Sequence, residues 1–139
     1  MTDIREIGGD DLDALQDVLL NLSAVGLGPS EARMIHDTRV HSRVLTYGYF
    51  EDDRLVGTIS LLIEQKFIHK GGLAGHIEDV AVRSDCGGRG IGQALVAHAV
   101  DKCREQGCYK VILDCAENLV DFYGKSGFRE AGVFMRLDF

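Results

Sequence analysis

Glu78, Asp79 and Asp114 are the residues of this chain whose placement asks for a chemical explanation. Glu78 and Asp79 sit side by side in His76-Ile77-Glu78-Asp79-Val80-Ala81-Val82, a run otherwise apolar and β-branched that reads as a strand. Asp114 falls within Tyr109-Lys110-Val111-Ile112-Leu113-Asp114-Cys115, a second strand whose apolar residues predict a central place in the sheet. An unpaired carboxylate is costly to bury, so acidic groups in such strands point to work on a bound molecule: accepting hydrogen bonds from hydroxyls or an amine, or taking a proton. Cys86, Cys103, Cys108 and Cys115 have no Cys-x-x-Cys spacing and no ligand series beside them, which predicts free thiols and no metal. No Cys, His and Asx set has the spacing of an activated nucleophile.

A different chemistry is suited to Cys86-Gly87-Gly88-Arg89-Gly90-Ile91-Gly92, which leads into the helix formers Ala94-Leu95-Val96-Ala97. Strand, glycine loop and helix follow one another here. Glycine lets the backbone approach a ligand with its N–H groups bare, and a helix N-terminus adds partial positive charge, so the loop fits phosphate oxygens. Walker A chemistry is excluded because the loop ends Gly92-Gln93-Ala94, without Lys-Ser/Thr. A dinucleotide fingerprint would need glycine where Gln93 stands, and would open the domain instead of lying past its middle.

The elements that must position these residues are legible around them. The chain has 139 residues, 45% of them apolar, and a net charge of −7, which predicts one domain over residues 1–139 and argues against a nucleic-acid surface. Arg89, Lys66, Lys70 and Lys125 are the local cations that would draw in a phosphate against that mean field. With no leader-like segment and no long apolar run, the expectation is a soluble cytoplasmic protein with no membrane partner. Ile4 to Ile7 reads as a first strand. Leu12, Leu15, Leu19 and Leu22 mark one stripe of a helix ending near Ser23, and Ser30 to His41 a second, polar helix. Val44 to Phe50 and Leu55 to Phe67 form a hairpin turning at Glu51-Asp52-Asp53. Helices follow over Ile91 to Glu105, with His98 at the core edge, and Asn118 to Ser126; a last strand covers Gly132 to Phe139.

The glycine loop resembles the pantetheine-pyrophosphate loop of the GNAT acyltransferases, with Gly87, Arg89, Gly90 and Gly92 in the corresponding places and Gly87 where Arg or Gln is usual. The order β-α-α-β-β-β-α-β-α-β matches that fold, an α/β (α+β) arrangement with a mixed, mostly antiparallel central sheet flanked by helices. Gly75 to Val82, Gly107-Cys108-Tyr109-Lys110 with its strand, and Phe122-Tyr123-x-Lys125-x-Gly127-Phe128 narrow the resemblance to the glucosamine-6-phosphate N-acetyltransferases of the UDP-N-acetylglucosamine pathway. It is dense over residues 64 to 136 and thin before them.

The resemblance implies acetyl-CoA as co-substrate and direct transfer to the 2-amino group of glucosamine 6-phosphate, with no acyl-enzyme. By the same resemblance, Val80 N–H polarises the thioester carbonyl, Val80, Ala81 and Val82 pair with the pantetheine arm, and Gly88, Arg89, Gly90, Ile91, Gly92 and Gln93 take the pyrophosphate. Tyr123 serves the departing sulfur, with Lys125 beside the cofactor. Ser23, Glu78, Asp79 and Asp114 hold the sugar, Lys66, Phe67, Ile68 and His69 match the sugar-phosphate segment, and a base role falls to Glu78 or Asp114. Leu119 stands where the family usually has Asn. Asp138 replaces a C-terminal basic residue and leaves Arg136 as the substitute. A symmetric homodimer with the site near its interface is also implied. The alternatives are a GNAT enzyme for another amine or a protein N-terminus, and a CoA-binding sensor without turnover.

Overall fold

The computed structural model describes residues 1–139 and builds them around one five-stranded sheet in the order β1-β2-β3-β4-β5. The strands are β1 (Thr2–Glu6), β2 (Val44–Glu51), β3 (Arg54–Gln65), β4 (Leu73–Val82) and β5 (Cys108–Ile112). Pairing is antiparallel from β1 through β4 and parallel between β4 and β5. The helices are α1 (Leu12–Leu19), α2 (Pro29–His41), the single turn α3 (Ile68–Gly71), α4 (Ile91–Gln106) and α5 (Val120–Gly124).

Alternation along β3 assigns the two faces. Ile59, Leu61 and Ile63 pack with Leu95, Val96, Ala99 and Cys103 of α4. Thr58 and Ser60 face the other way, towards α1 and α2, where Ile7, Val18, Phe50, Leu55 and Ala81 form a smaller cluster. Strand periodicity of two therefore gives an apolar floor under α4 and a partly polar floor under α1 and α2.

The β2–β3 hairpin turns as expected, with Asp52 and Asp53 at φ +47° and +67°, the left-handed pair that matches strand twist. His98 packs edge-on against Tyr47, with ring centroids 4.6 Å apart, and burial pushes its pKa down, so it is a packing residue.

Three expectations are corrected. The helix from Leu12 ends at Leu19 instead of near Ser23. β5 is an edge strand ending at Ile112, so Asp114 lies just past the last paired rung instead of within a central strand. Most consequentially, residues 132–139 form no strand. No strand of the chain pairs with that arm, and the outer edge of β5 has no partner. The arm leaves Val133 88%, Met135 86%, Leu137 79% and Phe139 fully exposed.

Candidate active site

The site begins with a break in the β3–β4 ladder. Thr58 pairs with Ala81 and Ser60 with Glu78, so Asp79 and Val80 together oppose Ile59 in a β-bulge. Asp79 takes φ +50°, a left-handed conformation that costs a non-glycine residue about 1 kcal/mol and that Asp tolerates better than most. Residues directly opposite across an antiparallel pair share a face, so Glu78 lies on the Ser60 side. Asp79 lines the cavity on that same side. The bulge thus removes the alternation that would have sent these neighbours to opposite faces.

Asp114 joins them from β5. The parallel rungs stop at His76↔Ile112, and Asp114 lies two residues past the end of β5, near enough for its charge to act on Glu78. Glu78, Asp79 and Asp114 are exposed instead of buried in their strands; partial desolvation raises the Glu78 pKa, and the charges of Asp114 and then Asp79 raise it further, with His76 opposing. The three acidic residues therefore form one group, and Glu78 is the member tuned to hold a proton more readily than an ordinary glutamate.

Beyond His76, β4 has no partner on its β5 side, so Ile77 to Val82 present a free strand edge where the two strands diverge. Val80, Ala81 and Val82 belong to that edge. At its end lies the glycine loop, with Gly88 and Gly90 at φ +75° and +78°, conformations suited to glycine. No atom stands within 4 Å of a Cβ built at either residue, so this face of the loop is open. Ala94 makes the first backbone bond of α4, to Gly90, and none of the N–H groups from Gly87 through Gln93 donates to a backbone carbonyl. This run of bare donors at a helix start fits a pyrophosphate.

Side chains in the loop are placed differently from expectation. Arg89 forms an ion pair with Glu51 of the hairpin, and so is already partnered. The Gln93 amide bridges α4 to α5, donating to Phe122 O at 2.8 Å and accepting from Ser126 Oγ at 2.9 Å. A Cβ at Gly92 would stand 3.0 Å from the Phe122 ring, so glycine is needed there for close packing. This bracing holds Tyr123, which is 8% exposed and set edge-on to Phe122 and Phe128. Burial raises the Tyr123 pKa, with added contributions from Cys115 and Asp114, and keeps the phenol protonated. Lys125 lines a separate groove along α4 with Asp101 and Ser126.

The remaining predicted residues divide. Lys66 pairs with Glu64 at 3.3 Å, and Glu64 also meets His76 Nε2 at 2.8 Å, so this segment is tied to β4 just before Glu78. Phe67 and Ile68 are exposed, and His69, at φ +51°, stacks on Tyr109 with centroids 3.9 Å apart. Ser23 is an exposed residue of the α1–α2 connection. Arg136 binds Asp138 at 2.7 Å within the exposed arm and is not brought to the carboxylates. The sequence reading missed Arg39, which reaches from α2 to Ser60 Oγ at 2.7 Å and Thr46 Oγ1 at 3.1 Å. Arg39 follows His36 and Ala32 at helical spacing, a signal hidden in a helix that reads as uniformly polar.

Comparison with known proteins agrees with this geometry. The family model described as Acetyltransferase (GNAT) family matches residues 14–128. A Trypanosoma brucei protein named glucosamine 6-phosphate N-acetyltransferase is 39% identical, with 99% of each chain covered. A rice protein named probable glucosamine 6-phosphate N-acetyltransferase 2 is 46% identical over 63% of this chain, and the match spans about half, 53%, of the rice protein's length. The crystal structure of glucosamine-6-phosphate N-acetyltransferase from Arabidopsis thaliana superposes with a TM-score of 0.93 at 32% identity, covering 100% of this chain and 99% of that one. A split sheet edge, a bare glycine loop and a family match over most of the length lead to one conclusion: the chain belongs to the GNAT family of acetyltransferases.

Proposed function

We propose that this protein transfers the acetyl group of acetyl-CoA to the 2-amino group of D-glucosamine 6-phosphate, giving N-acetylglucosamine 6-phosphate and CoA on the route to UDP-N-acetylglucosamine. The observation that carries the reading is the grouping of Glu78, Asp79 and Asp114 beside the free edge of β4. It is supported by a relative of that name matched over nearly the whole of both chains. Acidic groups suit an acceptor that arrives as an ammonium ion carrying hydroxyls.

GNAT enzymes use acetyl-CoA as co-substrate, and here the N–H groups of Gly88 to Gln93 would hold its pyrophosphate while Val80 to Val82 pair with the pantetheine arm. Glu78 takes the proton that leaves the amine, because its raised pKa gives it more basicity than an ordinary carboxylate. Asp79 and Asp114 orient the acceptor. Val80 N–H faces the negative charge that builds on the thioester oxygen. Tyr123, protonated, donates to the sulfur as it departs. Direct transfer is the reading we favour, supported by the lack of any cysteine hydrogen-bonded to a histidine; Cys86 Sγ meets only Asp85, at 3.5 Å.

The arm of residues 132–139 supports a homodimer. An exposed apolar segment that no strand of its own chain covers is an association hazard unless a second copy takes it, and exchange across a two-fold axis would bring Arg136 towards the partner's acceptor site. The test of the function is release of free thiol from acetyl-CoA with glucosamine 6-phosphate as acceptor, with the acetylated sugar identified by mass. Equal release with unrelated amines would reject the assignment.

A further inference from the structure

The cavity under α1 and α2 holds an arginine and an aspartate that do not pair with each other. About 130 Å³ in volume, it has an aliphatic wall, Leu15, Leu19 and Leu27 among its residues, and a polar floor containing Ser60, Asp79 and Arg39. A concave, mostly apolar pocket with a few convergent polar groups is the usual form of a small-molecule site. Asp79 connects this pocket to the acidic group already described.

Arg39 is the unusual member. Its Nη2 donates to Ser60 Oγ at 2.7 Å and to Thr46 Oγ1 at 3.1 Å, both neutral oxygens. It takes part in none of the ion pairs of the chain, a trait it shares with Arg33, Arg43, Arg83 and Arg129, and it is the arginine among these that lines the cavity. The two hydroxyls hold the guanidinium in place through one nitrogen, and Nη1 and Nε make no hydrogen bond within the chain. Anchored donors with free valences, across one small cavity from a carboxylate that accepts only, form a matched pair. A hydroxyl group needs both partners, since it donates one hydrogen bond and accepts others.

We infer that Arg39 and Asp79 together read the ring hydroxyls of the acceptor, Asp79 accepting from an O–H and Arg39 donating to the oxygen of the same or the neighbouring hydroxyl. The inference rests on the amino-sugar function proposed above and adds an acceptor-binding residue, on α2, to it. A site built to hydrogen-bond a hydroxyl rejects an analogue that lacks it, because its own polar groups are then left without partners. Arg39 is thereby a determinant of specificity for a polyhydroxylated amine over a plain alkylamine.

A cycle between the side chain and the substrate tests this. The kcat/KM of the full-length protein is measured with glucosamine 6-phosphate and with its 3-deoxy and 4-deoxy analogues, for the natural chain and for Arg39→Gln. In the natural chain, removal of the hydroxyl held by the guanidinium should lower kcat/KM about tenfold to a hundredfold, the range for a hydrogen bond to a charged group. In Arg39→Gln the penalty for that same analogue should shrink to about threefold or less, while the dissociation constant for acetyl-CoA stays the same. Were Arg39→Gln not to fold, Arg39→Lys, which keeps the charge and loses the fork, serves in the same comparison. A merely structural arginine would lower all three substrates in parallel and leave both deoxy penalties unchanged, and that result overturns the inference alone. Absence of any turnover with glucosamine 6-phosphate by the natural chain overturns the proposed function, and this inference with it.

Discussion

Glu78 and Asp79 are consecutive residues of one strand, yet both stand on the face that carries Ser60, because Asp79 turns to φ +50° in a bulge opposite Ile59. In an unbroken strand one of the two would point into the apolar core under α4. Glu78 thereby feels the charges of both Asp114 and Asp79, and this sets its pH behaviour.

Glu78 must be ionised to accept a proton, and its pKa is raised by partial desolvation, by Asp114 and by Asp79. Activity should therefore be full above that raised pKa and fall as the pH drops through it, at a higher pH than an ordinary glutamate would give. Replacing Asp114 by Asn removes a repelling charge, lowers the Glu78 pKa and moves the acidic limb of the remaining activity to lower pH. A kcat/KM profile whose acidic limb stays put in Asp114→Asn would contradict the pairing of these two carboxylates.

Asp114→Ala should also reduce turnover far more than acetyl-CoA affinity, by about tenfold to over a hundredfold for a hydrogen bond to a charged group. Early melting with full activity would instead mark Asp114 as structural.

Gly90 occupies φ +78° with open space where a side chain would go. A Cβ there meets no atom of the chain within 4 Å, but valine strains the backbone by about 1–2 kcal/mol and covers the bare N–H groups. Calorimetry should show acetyl-CoA binding weakened at least about tenfold, roughly 1.4 kcal/mol, in a folded Gly90→Val protein. Unchanged binding would remove the loop from the cofactor site.

Tyr123→Phe deletes one hydroxyl and keeps the ring packed between Phe122 and Phe128. Turnover should fall with little change in the binding of either substrate, as for a group needed mainly when the thiolate forms. A rise in both Michaelis constants at constant kcat would make it a binding residue.

The C-terminal arm is where the reading of the sequence and the structure part most clearly. Gly132 to Phe139 has the composition of a strand, but a strand needs a neighbour, and none of the chain's own strands supplies one. Composition reports the propensity, and pairing depends on a neighbouring strand that composition does not report. The glycine loop, the hairpin turn and the apolar face of α4 were legible because each depends on local backbone needs or on helical period. The partner of Arg89 was not legible, since Glu51 stands 38 residues away in sequence and reaches it only through the fold. Arg39 was hidden for the same reason: its hydrogen bonds reach Thr46 and Ser60, on two strands that α2 covers.

If the arm exchanges between copies, light scattering at assay concentration should give a dimer mass, and deletion of residues 129–139 should abolish it. Mixing Arg136→Ala subunits with Asp114→Ala subunits should restore one intact site per heterodimer. No recovery in a mixture shown to exchange subunits would reject Arg136 as a residue acting across the interface.

The most direct measurement is thiol release from acetyl-CoA with glucosamine 6-phosphate, glucosamine, glucose 6-phosphate and a plain alkylamine as separate acceptors. The account predicts rapid release with glucosamine 6-phosphate, weaker release with glucosamine, and none with glucose 6-phosphate, which has the phosphate and ring but no amine. Comparable release with the alkylamine, or none with glucosamine 6-phosphate while acetyl-CoA still binds, would contradict it.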